Sequence, residues 1–272
     1  MKLLFPNATL ALALGLFLSA PALATPWLGM PGATELSLAY ETAQYDDMLS
    51  PDGVVEKGWG VTSQAMFFGL SHDLAETVKI SIVTGYGQSS STKPGGKTEG
   101  LLDTDLKVGL NLLDPFETSG FGLGVQIGYR VPGTYEIAKV PHGIGKRVHA
   151  ASAELLAAYA IEMVTLQSSI GFRFSADPAP HDIFGQSSLA WNPVGDASVE
   201  LHYTYQFGQS GGDLGPDVVD LVTMKEDDQT LHALVGYQLS NNFGLGLRYA
   251  KALSGRNAPD ATRFGLSLNY RL

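Results

Sequence analysis

The chain has 272 residues, no cysteine and a formal net charge of −10 at pH 7. This acidic balance argues against nucleic-acid binding, which requires clustered Lys and Arg side chains. The absence of cysteine excludes disulfide bonds, so the fold must be held together by other means.

The N-terminus has the pattern of a secretory signal peptide. Lys2 provides a short basic start, residues Ala8–Ala20 are apolar or small, and Ala22–Leu23–Ala24 is the small-residue pattern that signal peptidase recognises. The apolar run is shorter than the roughly 20 residues of a membrane-spanning helix, so a helical anchor is the weaker alternative. We expect cleavage after residue 24 and a mature chain, 25–272, that forms a single domain.

Alternation of apolar and polar residues with period two dominates the mature chain. It recurs in twelve segments, most of which have about the 9–11 residues that a tilted strand needs to cross a bilayer. Two of them, Gly60–Leu70 and Ile183–Trp191, fit the spacing but alternate poorly. The segments are Thr34–Tyr40, Gly60–Leu70, Val78–Tyr86, Asp105–Leu113, Phe121–Val131, Ala151–Ile161, Thr165–Phe174, Ile183–Trp191, Ser198–Phe207, Thr230–Leu239, Phe243–Tyr249 and Arg263–Leu272.

The connections between these segments alternate in length. Short ones are Ser71–Thr77, Asp114–Gly120, Glu162–Val164, Asn192–Ala197 and Ser240–Asn242. Long ones are Glu41–Trp59, Gln88–Thr104, Pro132–Val148, Ser175–Asp182, Gly208–Gln229 and Ala250–Thr262. Short periplasmic turns and long extracellular loops are typical of outer-membrane barrels, whereas a soluble sandwich has no reason to sort its loops. The sequence therefore predicts an all-β, antiparallel up-and-down transmembrane barrel of about twelve strands, whose closure satisfies the backbone in lipid.

The last segment, Arg263–Leu272, predicts partners and location. It carries an aromatic residue third from the end, Tyr270, and ends on an apolar residue, Leu272. This resembles the C-terminal strand that the barrel-assembly machinery recognises. We expect a monomer in the outer membrane of a Gram-negative bacterium, in contact with lipid and lipopolysaccharide.

The two faces of each strand predict what the barrel touches. In Phe121–Val131, the face with Leu123 and Ile127 should meet lipid, and the face with Gln126 and Arg130 should line a lumen. Both charge signs occur on the inward parity, so no strong ion selectivity is expected. The alternative is structural: cross-strand charges satisfy one another, and glycines relieve strain. The candidate pore-lining residues are Asp105, Lys107, Gln126, Arg130, Glu154, Arg173, Glu200, His202, His232, Arg248 and Arg263, and the same parity assigns Gln64 inward.

Motifs for other chemistry are weak. "GLGVQIG" lies inside a strand, not in the turn that a dinucleotide fingerprint needs. His202 and His232 lie on neighbouring segments, but no serine motif accompanies them. We therefore predict no catalytic residue, no metal site and no cofactor. The acidic loop Gly208–Gln229 is a solvated external loop or a site for divalent cations that bridge lipopolysaccharide phosphates.

Three stretches together resemble a known family. They are "FFGLSHDLAETVKISIVTGYG" (Phe67–Gly87), "EGLLDTDLKVGLNLLDP" (Glu99–Pro115) and "FGLGVQIGYRVPGTYE" (Phe121–Glu136). They resemble the outer-membrane family named for the meta-pathway of phenol degradation. The resemblance implies a barrel that passes aromatic or other hydrophobic compounds, with Asp105 and Arg130 as matching polar positions.

The sequence thus predicts a passive channel for small hydrophobic or aromatic solutes. Solutes would diffuse past a constriction of Arg, Glu and Gln side chains, gated by external loops. The alternatives are a structural or adhesive barrel without conductance and a lipid-modifying enzyme.

Overall fold

A computed structural model describes residues 32–49, 55–93, 95–115, 120–136, 144–161, 163–194, 196–213 and 222–272. The predicted signal peptide lies outside these residues. Across the described ranges, no helix has the length and apolar character needed to cross a membrane. The strands are β1 Thr34–Leu49, β2 Val55–Ala75, β3 Val78–Ser91, β4 Gly96–Leu101, β5 Thr104–Leu113, β6 Phe121–Val131, β7 Ala150–Ile161, β8 Val164–Ser175, β9 Asp182–Val194, β10 Ala197–Gly208, β11 Asp227–Ser240, β12 Phe243–Arg256, β13 Ala258–Pro259 and β14 Thr262–Arg271.

These strands close into an antiparallel barrel. Successive strands of the wall pair with each other, and β14 returns to pair with β1 over ten residue pairs, from Glu35↔Arg271 to Gln44↔Thr262. β4 and β5 both pair with β3 and are two halves of one wall strand. β13 and β14 both pair with β1 in the same way. The described residues therefore form a closed wall of twelve strands, and the predicted fold is confirmed.

The outer face of the wall is apolar. On β6, Ile127 is 61% exposed and Tyr129 is 48% exposed, whereas Gln126 between Val125 and Ile127 is 5% exposed. Leu, Ile, Val and aromatic side chains are exposed in the same way around the rest of the wall. A soluble protein would bury such a surface, so it fits the hydrocarbon region of a bilayer.

Three of the external connections contain more strand than the sequence predicts. β1 runs on to Leu49 before β2 begins at Val55, β3 and β4 leave only residues 92–95 between them, and β12 extends to Arg256. The segment Gln88–Ser91 shows why the sequence misses this, because it is uniformly polar and lacks the lipid-facing alternation. Backbone pairing continues into water after the apolar signal has ended. One side of the barrel is consequently taller than the other.

The described residues of two other external connections pack inside the barrel against this tall side. Inner loop 1 (132–149) packs Tyr135 and Ile144 on Ala39, Phe67 and Leu102. Inner loop 2 (209–226) packs Met224 in a second buried cluster, whose other members are Tyr45, Met48, Val61 and Ala261. Ala39 and Phe67 are partners in the β1–β2 ladder and are buried, whereas the next side chain along β2, Phe68, is 50% exposed. Tyr135 therefore lies inside the barrel.

One inward assignment is wrong. Gln64 lies on the outer face of β2, two residues beyond the exposed Met66, and its Oε1 accepts a hydrogen bond of 3.3 Å from Gln88 Nε2. The weak alternation of β2 has a tertiary cause. Its inward residue Phe67 is apolar because inner loop 1 covers it.

Candidate functional site

The barrel interior carries all eleven predicted pore-lining side chains on its inner face, divided between two walls. On the first wall, Arg130 binds Asp105 through two hydrogen bonds, of 2.7 and 2.8 Å. The two residues are direct partners in the β5–β6 ladder. Arg173 Nη1 lies 3.3 Å from Asp182 Oδ2, and these residues are direct partners in the β8–β9 ladder. Each arginine of this wall therefore has a carboxylate opposite it.

Lys107 and Glu154 of the same wall are more loosely paired. Lys107 Nζ lies 3.9 Å from Glu154 Oε2, which is too long for a hydrogen bond. Glu154 instead accepts a hydrogen bond of 2.6 Å from Ser169 Oγ. Gln126 lies opposite Glu154 in the β6–β7 ladder and is 5% exposed. In the described part of the chain, Lys107 is thus a lumen cation with no hydrogen-bond acceptor.

A first cavity, of about 150 Å³, lies against this wall. Phe184 lines the cavity together with Tyr129 and Tyr205, and it lies opposite Gly171 in the β8–β9 ladder. A Cβ at position 171 would come within 2.6 Å of Phe184 Cζ, so glycine leaves room for the ring. Arg173 Cζ lies 4.8 Å from the ring centroid of Phe184, which is the geometry of a cation–π contact.

A second cavity, of about 170 Å³, lies against the opposite wall and is lined in part by Glu41, Glu200 and Arg248. Arg248 Nη1 lies 3.3 Å from Glu41 Oε2. Glu200 binds the ring of His202 through a hydrogen bond. The His202 and His232 ring centroids are 6.5 Å apart, so these two histidines are neighbours. Arg263, the remaining predicted residue, is 5% exposed.

The contacts of His232 do not form a nucleophile-activating pair. Its Nδ1 lies 2.6 Å from Arg248 Nη2, and because a guanidinium can only donate, Nδ1 must accept. In the neutral ring the proton is then on Nε2, which donates to Thr204 Oγ1 over 3.0 Å. A catalytic base needs the opposite arrangement, with an acceptor holding one ring nitrogen and a basic nitrogen facing the hydroxyl. His232 therefore links Arg248 and Thr204 through one accepted and one donated hydrogen bond.

Inner loop 1 is anchored to the wall between β4 and β5. Asp103 Oδ1 accepts hydrogen bonds from Gly133 N and Tyr135 Oη, both of 2.8 Å, and Tyr135 Oη accepts one of 2.7 Å from Arg147 N. Burial, together with Asp103, holds the pKa of Tyr135 above its ordinary value, so its hydroxyl stays a donor. Lys146 links this loop to inner loop 2, because its Nζ donates to Met224 O over 3.2 Å.

Inner loop 2 belongs to the acidic stretch Gly208–Gln229, for which the sequence leaves a site for divalent cations open. Asp213 forms two hydrogen bonds with Arg256, of 2.7 and 2.6 Å, and these hold its pKa below the ordinary value. Residues 214–221 lie outside the described part. Among the described residues, no group of three or more His, Asp or Glu side chains is placed to hold a metal ion.

Glu226 lies at the end of inner loop 2 and is fully buried. Neither of its carboxylate oxygens has a hydrogen-bond partner among the described residues. Burial raises its pKa well above the ordinary value of 4.5, against the influence of Lys146. Asp228 and Asp182 add to the raised pKa, and Arg263 opposes it.

Three residues of this interior, Phe184, Tyr135 and Glu226, are not among those predicted from the sequence. Phe184 shares its parity with Gln186 and Ser188, and this was the available signal. Tyr135 and Glu226 carry no comparable signal, because their burial depends on how two loops fold.

Comparison with known proteins gives a structural likeness. No protein-family model matches the chain, and no curated protein matches its sequence. The COG4313 outer membrane channel from Pseudomonas putida F1 superposes with a TM-score of 0.77 at 15% identity, over 92% of this chain and 98% of that one. The NanC porin gives 0.55 at 6% identity, over 87% and 100% of the two chains. The KdgM porin, solved in complex with disordered oligogalacturonate, gives 0.53 at 10%, over 87% and 98%.

At these identities the likeness concerns the fold. The resemblance to the family named for the meta-pathway of phenol degradation stays a prediction, because no family model matches. The chain has the fold of an outer-membrane channel barrel.

Proposed function

We propose that this protein is a passive outer-membrane channel for small hydrophobic or aromatic solutes. The observation that carries the proposal is the contrast between the two faces of one closed wall. The outside is apolar, while the inside presents ion pairs, amides and hydroxyl groups around two cavities. An interior with polar walls and internal space is what a solute-conducting barrel requires. The aromatic side chain of Phe184, which lines the first cavity, supports a solute with an apolar part.

The same proposal includes the location and partners. The protein would be exported by residues 1–24 and assembled into the outer membrane of a Gram-negative bacterium through its C-terminal strand. It would work there as a monomer, in contact with lipid and lipopolysaccharide. The apolar outer band supports this placement.

A second candidate is a barrel without conductance that serves structure or adhesion. The packing of Tyr135 and Met224 inside the barrel favours this candidate, because both inner loops occupy space that a solute would cross. The two candidates differ in whether these loops leave the lumen for part of the time.

Conductance separates the two candidates. The folded protein, purified in detergent, is inserted into planar lipid bilayers in potassium chloride, and single-channel currents are recorded. A channel gives discrete conductance steps, and liposomes that contain it swell in isotonic solutions of small solutes. A heat-modifiable, folded preparation that gives neither result would exclude the channel and leave the structural role.

A further inference from the structure

The cations that line the first cavity differ in how fully their charge is satisfied. Arg130 has two short hydrogen bonds to Asp105, and Arg173 has Asp182 opposite it and the Phe184 ring beneath it. Lys107 has a single ion pair among the described residues, at 3.9 Å. Its side chain is 26% exposed. An anion in the cavity can therefore bind Lys107 without breaking an existing hydrogen bond.

Each carboxylate that lines this cavity accepts a hydrogen bond from a described donor, whereas Lys107 has only the ion pair at 3.9 Å. Asp105 accepts from Arg130, and Glu154 accepts from Ser169 Oγ over 2.6 Å. Asp228, the third carboxylate of the lining, accepts from Thr230 Oγ1 over 3.1 Å. A cationic solute would have to compete with these donors for each carboxylate. The cavity thus favours a negatively charged group over a positively charged one.

The size and the apolar lining of the cavity restrict the rest of the solute. About 150 Å³ is below the roughly 300–1,000 Å³ of pockets that hold drug-sized ligands, so a single small ring fits better than an oligomer. Phe184 lines the cavity, and Gly171 gives its ring room on the wall. An aromatic side chain held in this way offers a stacking surface for a second ring.

We propose that the first cavity is a binding subsite for small aromatic carboxylates, in which Lys107 binds the carboxylate and Phe184 contacts the ring. The inference rests on the proposed channel function and specifies the substrate class of that channel. It makes the two residues a selectivity filter with two independent components, charge and ring. A non-aromatic acid uses the first component alone, and a neutral aromatic amide uses the second alone.

The test compares three blockers of single-channel current in planar bilayers. Benzoate carries both groups, cyclohexanecarboxylate the charge alone, and benzamide the ring alone. Benzoate should half-block the current at the lowest concentration. Lys107→Gln should raise the half-blocking concentration of both acids by about tenfold or more and leave benzamide unchanged. Phe184→Leu should raise that of benzoate and benzamide by about two- to tenfold and leave cyclohexanecarboxylate unchanged.

Lys97→Gln is the matched control, because Lys97 is 55% exposed and pairs with Glu99. It should behave as the wild type. Equal block by benzoate and cyclohexanecarboxylate in the wild type would overturn the aromatic component without any variant. Ligand-observed NMR of benzoate with the folded barrel in detergent measures binding separately from current. A protein that conducts ions but binds no benzoate refutes the subsite and leaves the channel, whereas binding without conductance refutes the channel alone.

Discussion

The anchor of inner loop 1 provides the sharpest test of gating. Tyr135→Phe removes one oxygen atom and keeps the ring among Ala39, Phe67 and Leu102. The variant loses the hydrogen bonds of 2.8 Å to Asp103 and 2.7 Å from Arg147 N. Asp103 keeps its bond from Gly133 N, so the wall side of the anchor stays partly satisfied.

The expected size of the effect follows from these bonds. A hydrogen bond to a charged group contributes roughly 1.5–3 kcal/mol. Its loss should shift the equilibrium between the packed and released loop by about 10- to 150-fold. Tyr135→Ala also removes the buried ring, which adds a cost of about 3–5 kcal/mol. The phenylalanine variant should therefore open transiently, and the alanine variant should stay open.

Single-channel recording measures both effects. Tyr135→Phe should show more frequent transitions to a larger conductance, and Tyr135→Ala should show that conductance continuously. Tyr159→Phe is the control, because Tyr159 is 47% exposed on the outer face and should leave the currents unchanged. If the two Tyr135 variants conduct like the wild type while remaining folded by heat-modifiability, inner loop 1 does not constrict the lumen.

Three further predictions concern charge and packing. The buried Glu226 has a raised pKa, so its protonated form favours packing of inner loop 2. This contribution is complete below the ordinary pKa of 4.5 and is lost as pH rises through the raised pKa. The open fraction in bilayers should therefore increase with pH, and Glu226→Gln should abolish that increase. Gly171→Ala places a Cβ 2.6 Å from Phe184 Cζ and should destabilise the barrel by about 1–3 kcal/mol, seen as a lower urea midpoint of heat-modifiability; an unchanged midpoint would contradict the close approach. Asp105→Asn removes the negative charge beside Arg130, so the reversal potential in a potassium chloride gradient should move toward anion preference.

The sequence by itself determined the wall of this protein. Alternation identified ten of the twelve wall strands, and spacing identified the other two. Each strand meets lipid on one face, and that requirement is local and repeats every second residue. The same alternation placed the charged residues of β5–β8 on the inner face, where Asp105 and Arg130 are direct partners. Where the alternation is clear, a strand's two faces can be predicted without knowing its neighbours, because they follow from residue spacing; on β2, where inner loop 1 covers Phe67, the same reasoning placed Gln64 on the wrong face.

The tertiary structure alone decided what happens above and inside the wall. The β3–β4 hairpin is polar on both faces at Gln88–Ser91, so nothing in that segment of the sequence separates a strand in water from a loop. The burial of Tyr135 depends on Ala39 and Phe67, which lie far from it along the chain.

 The separations are 96 residues for Ala39 and 68 residues for Phe67. Contacts at such distances along the chain carry no period that a sequence pattern could show, so the constriction is decided only when the closed wall brings these residues together.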